Sequence, residues 1–290
     1  MDVPALTLGR LVGDWTLAPG VALVVVLAAA LYAFGVQRLA ARDRAWSRGR
    51  SAAFGAGLAV IVVATQSGVA RYDSVLFSVH MAQHTMLGMV APLLLALGAP
   101  VTLALQASGR AQQRAVLSIV HSRPVAALSH PVVAWVLFGG TLFGLYFSPL
   151  FELSLRNEWV HEAVHVHFLA AGALFCWTAV GLDPTRWRLP YAGRVLYVLL
   201  AVPFHAFLGI AIVSADEPLA GGFYAEVARS WGPGVLADQR AAGGWLWAVG
   251  DLFGLAAGAI VVTRWMRADD REAARLDRAL DAALDGEPVR

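Results

Sequence analysis

Long apolar runs separated by short polar segments dominate the chain. Each run holds roughly 20 residues, the length that an α-helix needs to cross a bilayer. The pattern predicts membrane spans at residues 17–36, 51–69, 74–98, 131–150, 159–182, 194–214 and 243–262. We therefore expect an all-α polytopic membrane bundle of seven transmembrane helices, which forms one domain over residues 1–263.

Two segments depart from simple spans. Residues 74–109 contain no Asp, Glu, Lys or Arg, and this stretch is too long for one crossing. Pro92 and Pro100 are expected to kink and then end the third span, so that residues 101–120 lie along the inner interface. Residues 264–290 carry charges of both signs, which favours a charged cytoplasmic helical tail.

The arginines predict the orientation. The sequence holds 22 basic residues, and every one is arginine. Eleven fall in the loops assigned to the inside, six in the tail and five in the segments assigned to the outside. Because basic residues concentrate on the cytoplasmic side of a membrane, we predict an outside N-terminus and an inside C-terminus. The basic residues follow the first apolar run, whereas a secretory signal peptide has them in front, so this run is expected to be retained.

Composition excludes several classes of protein. The chain is 58% hydrophobic and only 14% charged, with a mean hydropathy of +0.62, whereas soluble domains are about 25% charged. The single cysteine, Cys176, excludes an internal disulfide and a multi-cysteine metal site. The sequence shows no nucleotide-binding loop or serine-nucleophile motif, and a formal net charge of +2 gives no reason to expect nucleic acid. We expect a protein that is not an enzyme.

Ionisable residues within the predicted spans are mostly histidine. Such groups are costly in a bilayer and are therefore functional candidates. At about 1.5 Å of rise per residue, four helices place them roughly 9–15 Å below their outer ends. The residues at this depth are His84, His165, His167, His205 and Asp251. Their common depth predicts a site in the outer half of the membrane, in which Asp251 would orient an imidazole rather than bind a metal.

Helical spacing strengthens this prediction. His80 and His84 are four residues apart, as are His161 and His165, so each pair projects from one face of its helix. Neutral imidazole is a good ligand for copper, zinc or iron. The thioether of Met81 would favour Cu(I).

Several short motifs lie around these histidines. They are His80-Met81-Ala82-Gln83-His84, Ala91-Pro92-Leu93-Leu94, Leu97-Gly98-Ala99-Pro100, His165-Val166-His167-Phe168-Leu169, Gly181-Leu182-Asp183-Pro184, Pro203-Phe204-His205-Ala206-Phe207-Leu208-Gly209 and Asp238-Gln239. In combination, over residues 74–281, the sequence resembles the integral-membrane cytochrome c oxidase assembly factors of the CtaG-like family.

This resemblance implies a multi-pass protein of the bacterial plasma membrane that helps to build haem–copper oxidases and has a part in copper delivery. The implied cargo is copper, as Cu(I), and the implied partner is an oxidase subunit or another copper carrier. Met81 and His161 are additional candidates for the site, although His161 lies outside the family pattern. The implied metal ligands, two of which would bind at a time, are His80, His84, His165, His167 and His205.

The same residues leave two alternatives open. A haem-binding membrane protein would use two histidines from different helices as axial ligands, such as His80 or His84 with His165 or His205. A proton or ion pathway would instead run through the histidines and Asp251.

Overall fold

The computed structural model describes residues 3–227 and 229–284, and within these residues the secondary structure is helical, without a strand. The all-α prediction is confirmed. Shorter helices connect seven long ones in the described part of the chain. The long helices are α1 (Pro19–Ala40), α2 (Arg48–Gln66), α3 (77–97), α4 (Pro131–Tyr146), α5 (Glu158–Val180), α6 (Tyr191–Val213) and α7 (Val235–Leu284). The shorter ones are Leu8–Gly13, Gly68–Tyr72, Pro100–Ala107, Arg110–Val120, Arg123–Leu128, Pro149–Arg156, Ala220–Gly222 and Phe223–Glu226.

Six of the long helices are apolar and long enough to cross a membrane, and α4 is the exception. Together with Pro149–Arg156 it forms a seventh candidate span, bent by 79°. The bend has a local cause, because Pro149 cannot donate a backbone hydrogen bond and disfavours a helical residue before it. The Ser148 hydroxyl then accepts from the Leu150 N–H at 3.2 Å and begins the second helix.

Helix α7 extends well beyond the apolar run that predicted it. It continues without interruption from Val235 to Leu284, so the predicted boundary between residues 263 and 264 falls inside one helix. The charged segment is therefore a direct extension of a membrane helix as far as residue 284. The rest of the predicted tail, residues 285–290, lies outside the described residues.

Helix α3 contains a wide turn directly after His84. Residues Met86–Val90 form a π-helical turn in front of Pro92. A proline lacks an N–H and its ring crowds the carbonyl of the preceding turn, and a π turn relieves that conflict. Helix α3 ends at residue 97, and Ala99, with a φ of +49°, separates it from the helix that begins at Pro100. Both prolines therefore mark irregular backbone, but the segment Phe77–Ala107 as a whole is one candidate span of 31 residues. The predicted interfacial position of residues 101–120 stays a prediction.

Gly172 allows α5 to approach this wide turn closely. A Cβ atom at Gly172 would overlap the Gly88 carbonyl oxygen and lie 2.8 Å from Cγ of Pro92. Small residues at helix crossings permit such close contact in membranes. We expect Gly172→Ala to lower the free energy of unfolding by about 1–3 kcal/mol, measured as a lower thermal unfolding temperature in detergent. Gly244→Ala is the matched control, since nothing lies within 4 Å of a Cβ there; equal unfolding temperatures for the two variants would contradict the packing argument.

Candidate metal centre

Four imidazoles meet where α3 packs against α5. His80 and His84 lie one turn apart on α3, and His161 and His165 lie one turn apart on α5. The ring centroids are 4.0 Å apart for His80 and His84 and 4.2 Å apart for His161 and His165. Across the helices, the centroids of His80 and His161 are 5.4 Å apart and those of His84 and His165 are 5.5 Å apart. We call this group the histidine cluster.

The cluster contains two overlapping sets of three donor atoms. One nitrogen each of His80, His84 and His161 lies within 4.8 Å of the others, and we call this set the buried trio. One donor atom each of Asp73, His161 and His165 satisfies the same limit, and we call this set the cleft trio. His161 belongs to both. Imidazole nitrogen and carboxylate oxygen are established ligands for copper, zinc and iron.

Five ring nitrogens of the cluster are buried and have no hydrogen-bond partner among the described residues. His80 has no exposed surface, and neither of its ring nitrogens has a hydrogen-bond partner among the described residues. Three further buried nitrogens also lack a hydrogen-bond partner among the described residues: Nε2 of His84, Nε2 of His161 and Nδ1 of His165. An unsatisfied buried polar group costs about 1–3 kcal/mol, so native proteins contain few of them. Five such atoms in one place fit a site that receives a cation.

Gln83 fixes the protonation of His165. Its amide nitrogen donates to the Ala64 carbonyl at 3.0 Å, so its oxygen must face His165, where it lies 3.1 Å from Nε2. Nε2 of His165 therefore carries the proton and donates a hydrogen bond to the Gln83 oxygen. The lone pair of His165 is left on Nδ1, which is the atom without a partner.

Tyr146 plays the same part for His84. Its hydroxyl donates to the Met81 sulfur at 3.4 Å, and its oxygen lies 2.9 Å from Nδ1 of His84. Because the hydroxyl proton of Tyr146 points to the Met81 sulfur, the hydroxyl oxygen must accept a hydrogen bond from Nδ1 of His84. Nε2 of His84 therefore keeps the lone pair. Met81 is fully buried and lies next to the cluster, but its sulfur already accepts this hydrogen bond.

Asp73 supplies a buried carboxylate beside the cluster. Its side chain lies in the segment between α2 and α3, with Oδ2 3.9 Å from Nε2 of His161. The Tyr224 hydroxyl donates to its backbone carbonyl at 3.0 Å and holds the segment in place. Burial raises the pKa of Asp73 to about 6, although the proximity of His165 and a hydrogen bond from the Gln83 amide act in the opposite direction.

This raised pKa predicts how the metal-free protein responds to pH. The folded state holds the Asp73 proton more tightly than the unfolded state, whose pKa is 3.8. Stability should therefore fall as pH rises from about 4 to about 6, by up to about 3 kcal/mol. Asp73→Asn stays neutral and should lack this component in thermal unfolding measured with a chelator present. Parallel pH profiles for the two proteins would contradict the prediction.

An open cleft of about 970 Å³ leads to the cleft trio. It lies at the end of the bundle where α1 and α5 begin, and its walls carry the carboxylates of Asp73, Glu158 and Glu162. Arg156 also lines the cleft, but its charge is paired with two glutamates at 2.8 and 2.9 Å. Clefts lined by one sign of charge concentrate the opposite ion. The cleft therefore favours entry of cations towards the histidine cluster.

The structure places two predicted ligands away from the cluster. His167 is exposed, and its Nε2 lies 2.7 Å from the Thr141 hydroxyl. His205 is buried on α6, with its ring beside Phe138 and Nδ1 2.8 Å from the Ala201 carbonyl. Neither residue belongs to a trio. His167 follows His165 by two positions, a rotation of about 200° around a helix, so the two rings cannot share a face.

Asp251 does not form the orienting contact that the sequence predicted. Its Oδ1 is buried and has no hydrogen-bond partner among the described residues. In the described part of the chain, the contacts that orient the cluster imidazoles come instead from Gln83 and Tyr146. Neither residue was predicted from the sequence as part of the site. Gln83 could have been found, because it is a polar residue between two histidines within an uncharged span.

Comparison with known proteins identifies the family. A family profile described as the cytochrome c oxidase caa3 assembly factor, Caa3_CtaG, matches residues 30–268. The chain belongs to this family. The match includes the whole histidine cluster and confirms the resemblance inferred from the motifs.

Relatives of this Caa3_CtaG chain occur in mycobacteria. Uncharacterized proteins of Mycobacterium bovis and Mycobacterium tuberculosis are each 39% identical to it over 283 residues, which is 95% of this chain and 43% of theirs. An uncharacterized protein of Mycobacterium leprae is 39% identical over 258 residues, which is 87% of this chain and 39% of that protein. The chain thus spans about two fifths of the length of these curated relatives. No solved structure matches it.

Two motifs of this Caa3_CtaG chain contain no histidine, and each of them supplies a carboxylate that holds the start of a helix. The Asp183 carboxylate accepts from the backbone N–H groups of Val101 and Thr102, at 3.2 and 2.6 Å, and so caps the helix Pro100–Ala107. The Asp238 carboxylate accepts from the Phe77 N–H at 2.6 Å, at the start of α3. Carboxylates at helix N-termini are stabilising. The second contact fixes the end of α3 that carries His80.

Proposed function

We propose that this Caa3_CtaG protein assists the assembly of a haem–copper cytochrome c oxidase by binding copper at its histidine cluster. It would act without catalysing a reaction and would pass copper to an oxidase subunit or to another copper carrier. Family membership supports the assembly role. The observation that carries the copper role is the buried trio, in which His80 has two unpaired ring nitrogens and neighbouring imidazoles lie within ligand distance.

The buried surroundings favour Cu(I) over a divalent ion. The cost of moving an ion out of water rises steeply with its charge, and neutral imidazoles do not offset that charge. A monovalent ion with two or three imidazole ligands therefore suits the buried trio better than Zn²⁺ or Cu²⁺. Thioether sulfur, which also selects Cu(I), is present beside the cluster in Met81, and Met89 lines the same small cavity as Met81 and His84.

The two trios provide a route for the ion. The cleft trio is open to the cleft, whereas His80 and His84 lie behind it and have at most 1% of their surface exposed. Because His161 belongs to both trios, an ion can gain a buried ligand before it loses the last cleft ligand. A site with few ligands also releases its metal more readily than a closed four-ligand site. Sharing of His161 thus supports transfer rather than permanent storage.

The location follows from the same proposal. The protein would lie in the bacterial plasma membrane, and the predicted orientation would place the cleft on the outer side. Copper would then enter from outside the cell, where the cleft carboxylates Asp73, Glu158 and Glu162 would attract it.

A titration tests the proposal. Protein purified in detergent under reducing conditions is titrated with Cu(I) in competition with a coloured Cu(I) chelator, and its absorption spectrum is recorded before the titration. The proposal predicts a colourless protein that takes copper from the chelator. A Soret band would favour the haem-binding alternative. A colourless protein that binds no copper would reject the proposal, and the proton or ion pathway would be the remaining alternative.

Tyr146 gives a sharper prediction. Tyr146→Phe removes the oxygen that accepts from Nδ1 of His84, so nothing holds the proton there and the lone pair on Nε2. Loss of such an orienting contact lowers metal affinity by about 10–100-fold. Tyr191→Phe, at the start of α6, is the control and should bind Cu(I) as the wild type does. If the two variants bind Cu(I) equally well in the same titration, Tyr146 does not orient a ligand.

A further inference from the structure

A second polar pocket lies at the end of the bundle opposite the cleft. Its volume is about 520 Å³, and it is formed where α2 begins, where α3 and α5 end and where α7 leaves the apolar region. Four guanidinium groups line it, and we call it the arginine pocket: Arg50, Arg264, Arg267 and Arg271. None of the residues that line it carries a carboxylate.

The arginines of this pocket have no acidic partner in the part of the chain that the structure describes: no carboxylate there lies within 4.0 Å of any of the four. Three of them recur at three- and four-residue spacing on α7, so like charges share one face and repel. Nε of Arg264 is buried and has no hydrogen-bond partner in the described part of the chain. An anion in the pocket would both pair with Arg264 and relieve the repulsion.

The start of α2 adds backbone donors to the same pocket. Ser47 precedes the first turn but makes no side-chain hydrogen bond to it. Both Ser47 and Gly49 line the pocket, so the free N–H groups of that turn lie at its wall. Free N–H groups and the helix dipole make a helix N-terminus favourable for phosphate. Arginine is likewise suited to phosphate, because its planar group donates two parallel hydrogen bonds.

Apolar residues complete the pocket. Leu97, Leu182 and Ile260 line it beside the arginines, which suits a ligand that has a charged head and an apolar remainder. From these features we propose that the arginine pocket binds the phosphate headgroup of an anionic phospholipid from the adjacent leaflet. Basic pockets between membrane helices bind such headgroups elsewhere. Bound lipid would then link α7 to the start of α2.

A pair of double variants with equal charge tests this proposal. Arg267→Gln with Arg271→Gln removes two pocket arginines. Arg275→Gln with Arg278→Gln removes two arginines farther along α7, which do not line the pocket. The full chain in detergent is titrated with phosphatidylglycerol, phosphatidylcholine or inorganic phosphate, and thermal unfolding is followed. A basic residue near an anionic lipid contributes on the order of fivefold in affinity, so the pocket variant should bind phosphatidylglycerol about 25-fold more weakly.

The expected result is stabilisation of the wild type and of the Arg275/Arg278 variant by phosphatidylglycerol alone. Equal responses of the two double variants would overturn the proposal, as would equal stabilisation by phosphatidylcholine. An equal effect of inorganic phosphate would overturn the assignment to lipid. Should the pocket variant fail to fold, native mass spectrometry of the wild type decides, since the proposal requires anionic phospholipid to remain bound in preference to phosphatidylcholine.

Discussion

Replacing His80 or His84 by alanine is expected to lower the Cu(I) affinity of the purified protein by more than about 100-fold. Each change removes a ligand of the buried trio, and loss of an orienting partner alone costs about 10–100-fold. Both side chains are enclosed between α3 and α5, so no water-exposed group can replace them. The affinity is measured by competition with a Cu(I) chelator, and the copper content by elemental analysis.

The controls for this experiment come from the same residue type. His167→Ala removes an exposed imidazole that pairs with Thr141, and His205→Ala removes a buried one that lies outside both trios. Both variants should bind Cu(I) with wild-type affinity. Membrane insertion should be unchanged in all four variants, because it depends on the apolar runs. A loss of copper at His167 equal to that at His84, or retention of copper in all four, would reject the proposed ligands.

Loss of the whole protein is expected to lower the activity of the haem–copper oxidase in its host cell several-fold. The oxidase would be made but under-supplied with copper, so its copper content should fall together with its activity. Copper added to the medium should restore part of both, since it bypasses a protein that only raises the local supply. Oxidase activity and the copper content of the purified oxidase are the measurements.

Complementation links this effect to the cluster. Wild-type protein and His167→Ala should restore the oxidase, whereas His84→Ala should restore much less at equal protein level. A fully copper-loaded oxidase in cells that lack the protein would show that the assembly role is wrong. If His84→Ala and the wild type restore the oxidase equally well, the assembly role would stand, but it would not depend on copper binding at the cluster.

The sequence predicted the helices well because the signal is strong. Apolar runs of about 20 residues correspond to the long helices, and Pro92 and Pro100 marked the irregular parts of α3. The bend after α4 was missed, because the run from 131 to 150 remains apolar through Pro149. A proline near the end of an apolar run is compatible with a simple helix end or with a bend, and the difference depends on the packing of neighbouring helices.

The candidate site was predicted only in part, for a geometrical reason. Spacing along one helix determines which residues share a face, and it correctly paired His80 with His84 and His161 with His165. Depth in the membrane does not determine which face of a helix meets which neighbour. His167 and His205 therefore shared the predicted layer without sharing the cluster, and His161, which the family pattern did not include, lies at its centre.

Other site residues come from loops or from distant helices. Asp73 precedes α3 in a connecting segment, and its backbone carbonyl accepts from the hydroxyl of Tyr224, which is 151 residues away along the chain. Tyr146 reaches His84 from α4. Contacts of this kind depend on the assembled bundle, and local patterns in one sequence do not contain them.

Anomalous diffraction tests the copper site most directly. Crystals of the Cu(I)-loaded protein are measured on both sides of the copper absorption edge, and the difference locates copper without reference to the protein density. The prediction is a peak at the buried trio, within bonding distance of nitrogens of His80, His84 and His161. A peak at His167 or His205, or copper bound only at surface residues, would contradict the proposed centre.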